Sequence, residues 1–475
     1  MTHVVLLGGG FVNIDAYRAL MRTVGADVRA GRVRITLVTP DPHHTFRGWT
    51  GEVLAGLLPV EHTLTPLRTV LPHARIVLGR AQHVDTTRQC VQVLQETGEF
   101  AELSYDHLLV GVGSRDPFVR LPGLREYGWC LKDSRDMHRL YAHLEAWRPA
   151  GARALVIGGG FAGVEMTAAL RERYTPQELQ IWLASATPAL LTSLRPRFNH
   201  LANQAERTLR ARNIEIQTEV RVQELTSLGA RLNDGTFVAA DLILVTAGVS
   251  AQDISGLNDL PRHASGQLLT DSHLRVVGHT NIWAGGDAAH VIHPVTGEPC
   301  PTNALWAMKH GMCAGSNIGR TIRGRSPRAF AYRGLGQGAA FAVGNGITEL
   351  KGLQFTGRLG WLLRLLFFVW YMPTKAGGAR VLLDWLTLRS KVQASRVSPS
   401  QPEKDRLGND QKSGRRIPRS SGGFFVLHVV HSTGFEPVAC PLGGGCSIQL
   451  SYECVAGSGT GDGSIAGAAA PSGRC

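Results

Sequence analysis

One pattern occurs twice in this chain and limits its fold more than any other feature. Val4–Leu20 reads VVLLGGGFVNIDAYRAL, and Ala154–Leu170 reads ALVIGGGFAGVEMTAAL. Each is an apolar run, three glycines, a phenylalanine and then helical spacing. An apolar run without alternation predicts a strand covered on both faces of a parallel sheet. Beyond the glycines, Ala16 and Leu20, like Met166 and Leu170, sit four apart on one helix face. Gly8 and Gly158 permit a tight turn out of the strand, and Gly10 and Gly160 let a pyrophosphate approach bare backbone. The helix start then offers unpaired N–H groups and a positive dipole end to that anion. One glycine-rich turn is weak evidence. Two copies, each between a strand and a helix, predict two dinucleotide-binding units.

The copies differ. Gly163 completes the second, whereas Asn13 stands in the first, so helix and strand are expected to pack further apart there. An acid about 20 residues further on usually takes the ribose hydroxyls. The predicted second strands, 34–39 and 179–183, lead into Thr39-Pro40-Asp41 and Ala184-Ser185, and neither ends in Asp or Glu. Thr39 and Ser185 offer hydroxyls instead, which leaves NADH versus NADPH open. Arg195 and Arg197 have the charge to meet a 2′-phosphate, but a solvated basic loop accounts for them more simply.

At 475 residues the chain exceeds one compact core and suits two or three domains. With 43% hydrophobic and 18% charged residues it is globular rather than disordered. A net charge of +13 attracts anions in general: nucleotides, acidic lipids or nucleic acid. The hydrophobic segment before Lys375 favours lipid, so no nucleic-acid partner is expected. Met1-Thr2-His3 runs straight into the first strand without a basic leader, which predicts a cytoplasmic protein. Cys90, Cys130, Cys300 and Cys313 have no paired spacing, so neither a disulfide framework nor a metal site is expected.

Further motifs follow in order: His44-Thr45-Phe46 with the Gly48–Gly56 stretch, Tyr105–Ser114 (YDHLLVGVGS), Leu121-Pro122-Gly123-Leu124, Leu131-Lys132, Ala240-Asp241-Leu242-Ile243, Thr246-Ala247-Gly248-Val249 and Asn281–Ala288 (NIWAGGDA). From about Thr2 to Lys391 this order resembles the two-dinucleotide flavoprotein disulfide-reductase superfamily, and within it the type II NADH:quinone oxidoreductases. The resemblance implies an α/β fold of two Rossmann-like domains. An FAD domain (1–118 and 266–330) would be interrupted by an NAD(P) domain (119–265) and followed by a C-terminal domain (331–394). FAD would lie on the first glycine motif beside His44, Gly113, Asp287 and Ala288; NADH or NADPH would lie on the second beside Gly248. Asp287 would meet the ribityl hydroxyls, or else cap the following helix. Glu165 would stand near nicotinamide and flavin and assist proton delivery, or else complement the helix dipole. The family's quinone-side helix carries an AQxAxQ pattern. Ala304, Leu305, Ala307 and Lys309 replace it, so both glutamines are absent. Lys309 and His310 remain to meet a quinone carbonyl, against the alternative of a solvated lysine.

No CxxC or CxxxxC occurs in the flavin region, which argues against thiol–disulfide chemistry. The resemblance then implies hydride transfer from nicotinamide to flavin and onward transfer to a membrane quinone. Two alternatives stand: a sulfide:quinone reductase using Cys130 and Cys300, each equally a small buried hydrophobe, and a non-catalytic flavoprotein redox sensor. Residues 361–372 are nearly all apolar, with Arg364 inside, and fall short of the about 20 needed to span a bilayer. Pro373 ends them, and a short helix over 379–388 follows. Trp361, Trp370, Tyr371 and Trp385 suit a membrane interface, and Arg358, Lys375, Arg380 and Arg389 suit anionic headgroups. Residues 357–389 therefore read as a monotopic anchor on the inner face of the cell membrane, against a domain or dimer interface; homodimerisation is left open. From about residue 395 the composition turns to Ser, Gly, Pro and charge, which predicts a disordered tail. Gly434-Phe435-Glu436-Pro437 can be encoded by a transfer-RNA T-arm, so the tail is also expected to be read-through into a neighbouring gene.

Overall fold

The structure is a computed structural model that describes residues 1–118 and 120–396, with side chains through residue 387. The expectations for the tail lie, from residue 397 on, outside the described residues. The chain opens with β1 (Thr2–Leu7), α1 (Phe11–Arg29), β2 (Val33–Thr39) and the short α2 (Thr50–Leu54). Next come β3 (Arg75–Asp85), β4 (Cys90–Gln95), β5 (Phe100–Ser104), β6 (His107–Val110) and β7 (Ser114–Arg115). The second glycine unit is β8 (Ala152–Ile157), α3 (Phe161–Arg173) and β9 (Leu179–Ala184), extended by β10 (Ile214–Gln217) and β11 (Leu242–Val245). After β12 (Ser250–Ala251) and β13 (Ile282–Ala284) the chain forms α4 (Ala304–Ile322). Strands β14 (Gly336–Ala342), β15 (Asn345–Leu350) and β16 (Leu353–Thr356) lead into α5 (Gly357–Tyr371) and α6 (Lys375–Arg396).

Two sheets result. The first has seven strands in the order β13-β6-β1-β2-β3-β4-β5, and the second has four in the order β10-β9-β8-β11. In each, the strand before the glycines lies inside the sheet with parallel neighbours on both sides. Both faces are covered, which is why these strands are apolar without alternation; Val4, Val5 and Leu6 are fully buried. The chain leaves the first sheet and returns to it through the antiparallel pair β7–β12.

α4 lies directly on α1. A Cβ at Gly311 would stand 2.1 Å from the Val12 carbonyl oxygen, and one at Gly315 would stand 2.2 Å from that of Ala16. Only glycines permit that approach, which places Lys309 and Asp15 on the walls of one cavity.

The C-terminal segment departs from expectation in three ways. Its second helix runs over Lys375–Arg396 rather than 379–388. Thr374 starts it early by accepting the Gly377 N–H at 3.1 Å, and a Cβ at Gly378 would lie 2.9 Å from the Val369 carbonyl oxygen. Trp361 and Trp385 pack edge to face at 5.2 Å against a core cluster with Trp49 and Leu365, instead of facing outward. Arg364 is not a break in an apolar face but points into the protein, 3% exposed. The outer face keeps Leu359, Leu362, Leu366, Trp370, Leu383 and Leu386 exposed. Among the described residues no helix is long and apolar enough to cross a membrane.

Candidate functional site

The glycine turns have the geometry of anion cradles. Gly8 has φ +104°, and a Cβ there would stand 2.7 Å from the Gly111 carbonyl oxygen, so only glycine serves. A Cβ at Gly10 would come no closer than 3.9 Å to any protein atom, and one at Gly160 would meet nothing within 4 Å. These backbones stay open to a pyrophosphate at the starts of α1 and α3. Asn13 is fully buried and donates its amide to the carbonyls of Leu7 (2.6 Å) and Gly8 (2.7 Å). It therefore fills the wider helix–strand gap with a strut. In the second unit a Cβ at Gly163 would sit 1.7 Å from the Gly158 carbonyl oxygen, so helix and strand touch.

Thr39 ends β2 and Ser185 directly follows β9, each beneath a middle glycine: Cβ atoms at Gly9 and Gly159 would lie 2.8 and 2.4 Å from their hydroxyl oxygens. Both hydroxyls bond their own turns, Thr39 to the Asp41 carbonyl at 3.1 Å and Ser185 with the Thr187 hydroxyl at 2.8 Å.

Polar groups gather around the first cradle. His44 Nδ1 lies 3.1 Å from the Gly9 carbonyl oxygen, which can only accept, so this nitrogen carries the proton. Burial pushes the ring down to about 4, and it stays neutral with Nε2 unpartnered. Asp287 accepts from the Ser114 hydroxyl at 2.7 Å and pairs with Lys132 Nζ at 3.1 Å. It caps no helix: α4 starts after a long loop and is capped by Asn303, which accepts the Trp306 N–H at 3.2 Å. Arg47 donates to the carbonyls of Leu131 and Lys132, tying that strand-side loop to the segment before α2. Gly113 (φ +69°) and Gly248 (φ +74°) flank the β7–β12 crossing, and Ala288 is buried beside Asp287. Sequence reasoning passed over Ser114, Lys132 and Arg47 as site residues, although Leu131-Lys132 stood among the motifs.

Glu165 lies just past the first turn of α3, whose first turn holds no acidic residue, and is engaged by other elements instead of complementing the helix dipole. Its Oε1 accepts the Ala340 N–H at 2.9 Å and pairs with Arg364 Nη2 at 2.7 Å. Arg364 Nη1 also pairs with Glu52 Oε1 of α2 at 2.6 Å, while its guanidinium lies 4.3 Å from the Phe368 ring centroid. One buried cation between two buried carboxyls leaves one negative charge in excess. Burial therefore pushes Glu165 up to about 7, against the pull of Arg364. The signal for Arg364 was present in the sequence as a lone arginine within an apolar helix.

Lys309 lines a cavity of about 270 Å³ between α1, α4 and the α5–α6 joint, together with Phe11, Asp15, Arg18, Met312 and Tyr371. It is not simply solvated, since its Nζ rests 5.4 Å from the Tyr332 ring centroid. His310 does not share this wall. It is 2% exposed and accepts the Gly286 N–H at Nδ1, 3.1 Å away.

The cysteine reading fails. Cys130 belongs to the core cluster around Leu121 and Val245, and Cys300 packs on a different cluster around β1. Burial pushes both thiols up to about 12, so neither offers a thiolate at neutral pH.

Residues 2–311 match the pyridine nucleotide-disulphide oxidoreductase family. The chain is 27% identical over 394 residues to the demethylphylloquinone reductase NdbB of Synechocystis sp., covering 81% of this chain and 95% of that protein. It is 25% identical over 419 residues to the type II NADH:quinone oxidoreductase Ndh of Mycobacterium tuberculosis, covering 80% and 87%. NDH2 of Plasmodium falciparum, solved in complex with NADH, superposes with a TM-score of 0.71 at 14% identity, covering 82% of this chain and 98% of that one. Both glycine units fall inside the matched span, and the chain belongs to the pyridine nucleotide-disulphide oxidoreductase family.

Proposed function

We propose that this chain is an FAD-dependent NAD(P)H:quinone oxidoreductase acting at the inner face of the cell membrane. The observation that carries the reading is the pair of open glycine cradles at Gly10 and Gly160, with a separate cavity at Lys309 for an acceptor. Relatives named type II NADH:quinone oxidoreductases support the reaction class. FAD occupies the first cradle, in a domain of residues 1–118 and 266–330, and supplies the two-electron chemistry between nicotinamide and quinone. Gly8, Gly10 and Asn13 shape its pyrophosphate turn, and Thr39 and His44 wall the adjoining loop. Asp287, oriented by Ser114 and Lys132, takes the ribityl hydroxyls beside Gly113 and Ala288. NADH or NADPH occupies Gly158, Gly160 and Gly163 in the domain of residues 119–265, with Ser185 at the ribose end and Gly248 at the crossing.

Glu165, held by Arg364 and Ala340, keeps a proton available near the nicotinamide side. The exposed leucines of α5 and α6, with Arg358, Lys375 and Arg380 nearby in sequence, rest on an anionic bilayer.

One spectroscopic series tests the reading. The bound flavin of the purified protein bleaches on adding NADH or NADPH, and a water-soluble short-chain quinone restores its colour. A flavin that neither nucleotide reduces, or one that sulfide alone bleaches, overturns it.

A further inference from the structure

We propose that Asp15 is the proton donor to the quinone in the cavity between α1, α4 and the α5–α6 joint. The inference rests on the quinone reading above and names a catalytic residue that the glycine motifs do not. Asp15 lies one turn into α1, 9% exposed, on the wall that faces Lys309. Arg18 Nη1 holds its Oδ1 at 3.1 Å, and Arg18 Nη2 donates to the Pro373 carbonyl at 2.7 Å. Among the described residues, the second carboxyl oxygen has no hydrogen-bond partner. Charged and titratable groups face Asp15 from each packed element: Arg18 and Arg22 on α1, Lys309 on α4, Tyr371 on α5 and Lys375 on α6.

This arrangement suits transfer in one direction. Burial raises the Asp15 carboxyl from its ordinary value, against the pull of Arg18 and Lys309. Once the proton has left, the same two cations stabilise the carboxylate. Phe11, Met308, Met312 and Trp370 supply apolar walls for a ring. The cavity volume of about 270 Å³ is near the lower end of small-molecule sites, about 300 Å³. Reduction of a quinone to the quinol takes two electrons and two protons: a bound reduced flavin would supply the electron pair with one hydrogen and be reoxidised, and Asp15 supplies the other proton. Both carbonyl π bonds are lost as two O–H bonds form, one of them as the Asp15 O–H bond breaks. Lys309 donates a hydrogen bond to the receiving oxygen, and solvent protonates Asp15 again.

The competing reading makes Asp15 a clamp that holds Arg18, and through it the α5–α6 joint, to α1. Asp15→Asn keeps an oxygen for Arg18 but cannot donate a carboxyl proton, and Asp15→Glu keeps the acid. Stopped-flow absorbance separates flavin bleaching by NADH, reoxidation by a short-chain quinone, and reoxidation by ferricyanide, which takes electrons without protons. Quenching of tryptophan fluorescence by a redox-inert quinone analogue reads binding without turnover.

In Asp15→Asn, quinone reoxidation should fall on the order of 100-fold and speed up as pH falls, because solvent protons replace the carboxyl. Bleaching, ferricyanide reoxidation and analogue binding should match the wild type, and Asp15→Glu should recover part of the quinone rate. Equal losses with quinone and ferricyanide, weakened analogue binding with an unaltered pH profile, or no loss at all overturns the role of Asp15. A wild-type flavin that quinone never reoxidises overturns instead the quinone reading on which this one stands.

Discussion

Single residues show how far a glycine motif can be read. The third position holds Gly163 in one unit and Asn13 in the other, and the two solve opposite problems. At 163 helix and strand touch, so even a methyl group must displace backbone. Overpacking of this kind costs about 1–3 kcal/mol. Gly163→Ala should therefore weaken nicotinamide binding, raising KM for NADH about tenfold or more, while flavin content stays that of the wild type. NADH titration beside the flavin absorbance ratio checks both, and loss of flavin would show that the motifs are not independent. Glu165 carries a second prediction. Its carboxyl titrates at about 7 in the folded protein against an ordinary 4.5, so the folded state holds this proton more tightly than the unfolded chain. The associated stability is complete below about 4.5 and is lost as pH rises to about 7. Glu165→Gln removes that dependence. Calorimetry should find the wild-type Tm falling relative to the variant across this window, and a constant difference would refute it. Glu165 was a candidate in the sequence, but its grouping with Glu52 and Arg364 was not legible there, because the three are far apart in the chain.

At the scale of elements, α5 and α6 show why composition alone misplaces side chains. The apolar run 361–372, with Arg364 inside it, lies up to Tyr371 in α5. The direction of each side chain follows from packing against β15 and α2, which turns Arg364 and Trp361 inward and leaves Leu362, Leu366 and Trp370 outside. Replacing exposed Leu362 and Leu383 by Glu should abolish sedimentation with anionic lipid vesicles. It should shift stability by no more than about 0.5 kcal/mol per site, as expected for surface positions. Vesicle binding that survives both changes would place the contact on another face. The joint between α1 and α4 follows the same logic. Gly311 and Gly315 set the closeness that brings Lys309 and Asp15 to one cavity.

Over the whole molecule, the net charge of +13 acts on any anionic surface the protein meets. Vesicle association should weaken steeply as salt rises from about 0.01 M to about 1 M, where the screening length shrinks from about 30 Å to about 3 Å. Binding indifferent to salt would assign it to the leucines alone. The chain by itself determined its two glycine-rich units and their strand–turn–helix order, because each is a local matter of backbone freedom and hydrophobic period. It also carried two candidates through the family resemblance: Asp287, within the NIWAGGDA run, and Lys309, which stands where the family's quinone-side pattern is replaced. Only the tertiary structure decided what those residues face. Asp287 meets Ser114 and Lys132 across the sheet crossing, Arg364 reaches two carboxyls, and Asp15 shares a cavity with Lys309. Each of these depends on elements packed from distant parts of the chain, and pairings set by packing leave no periodic trace in the order of residues.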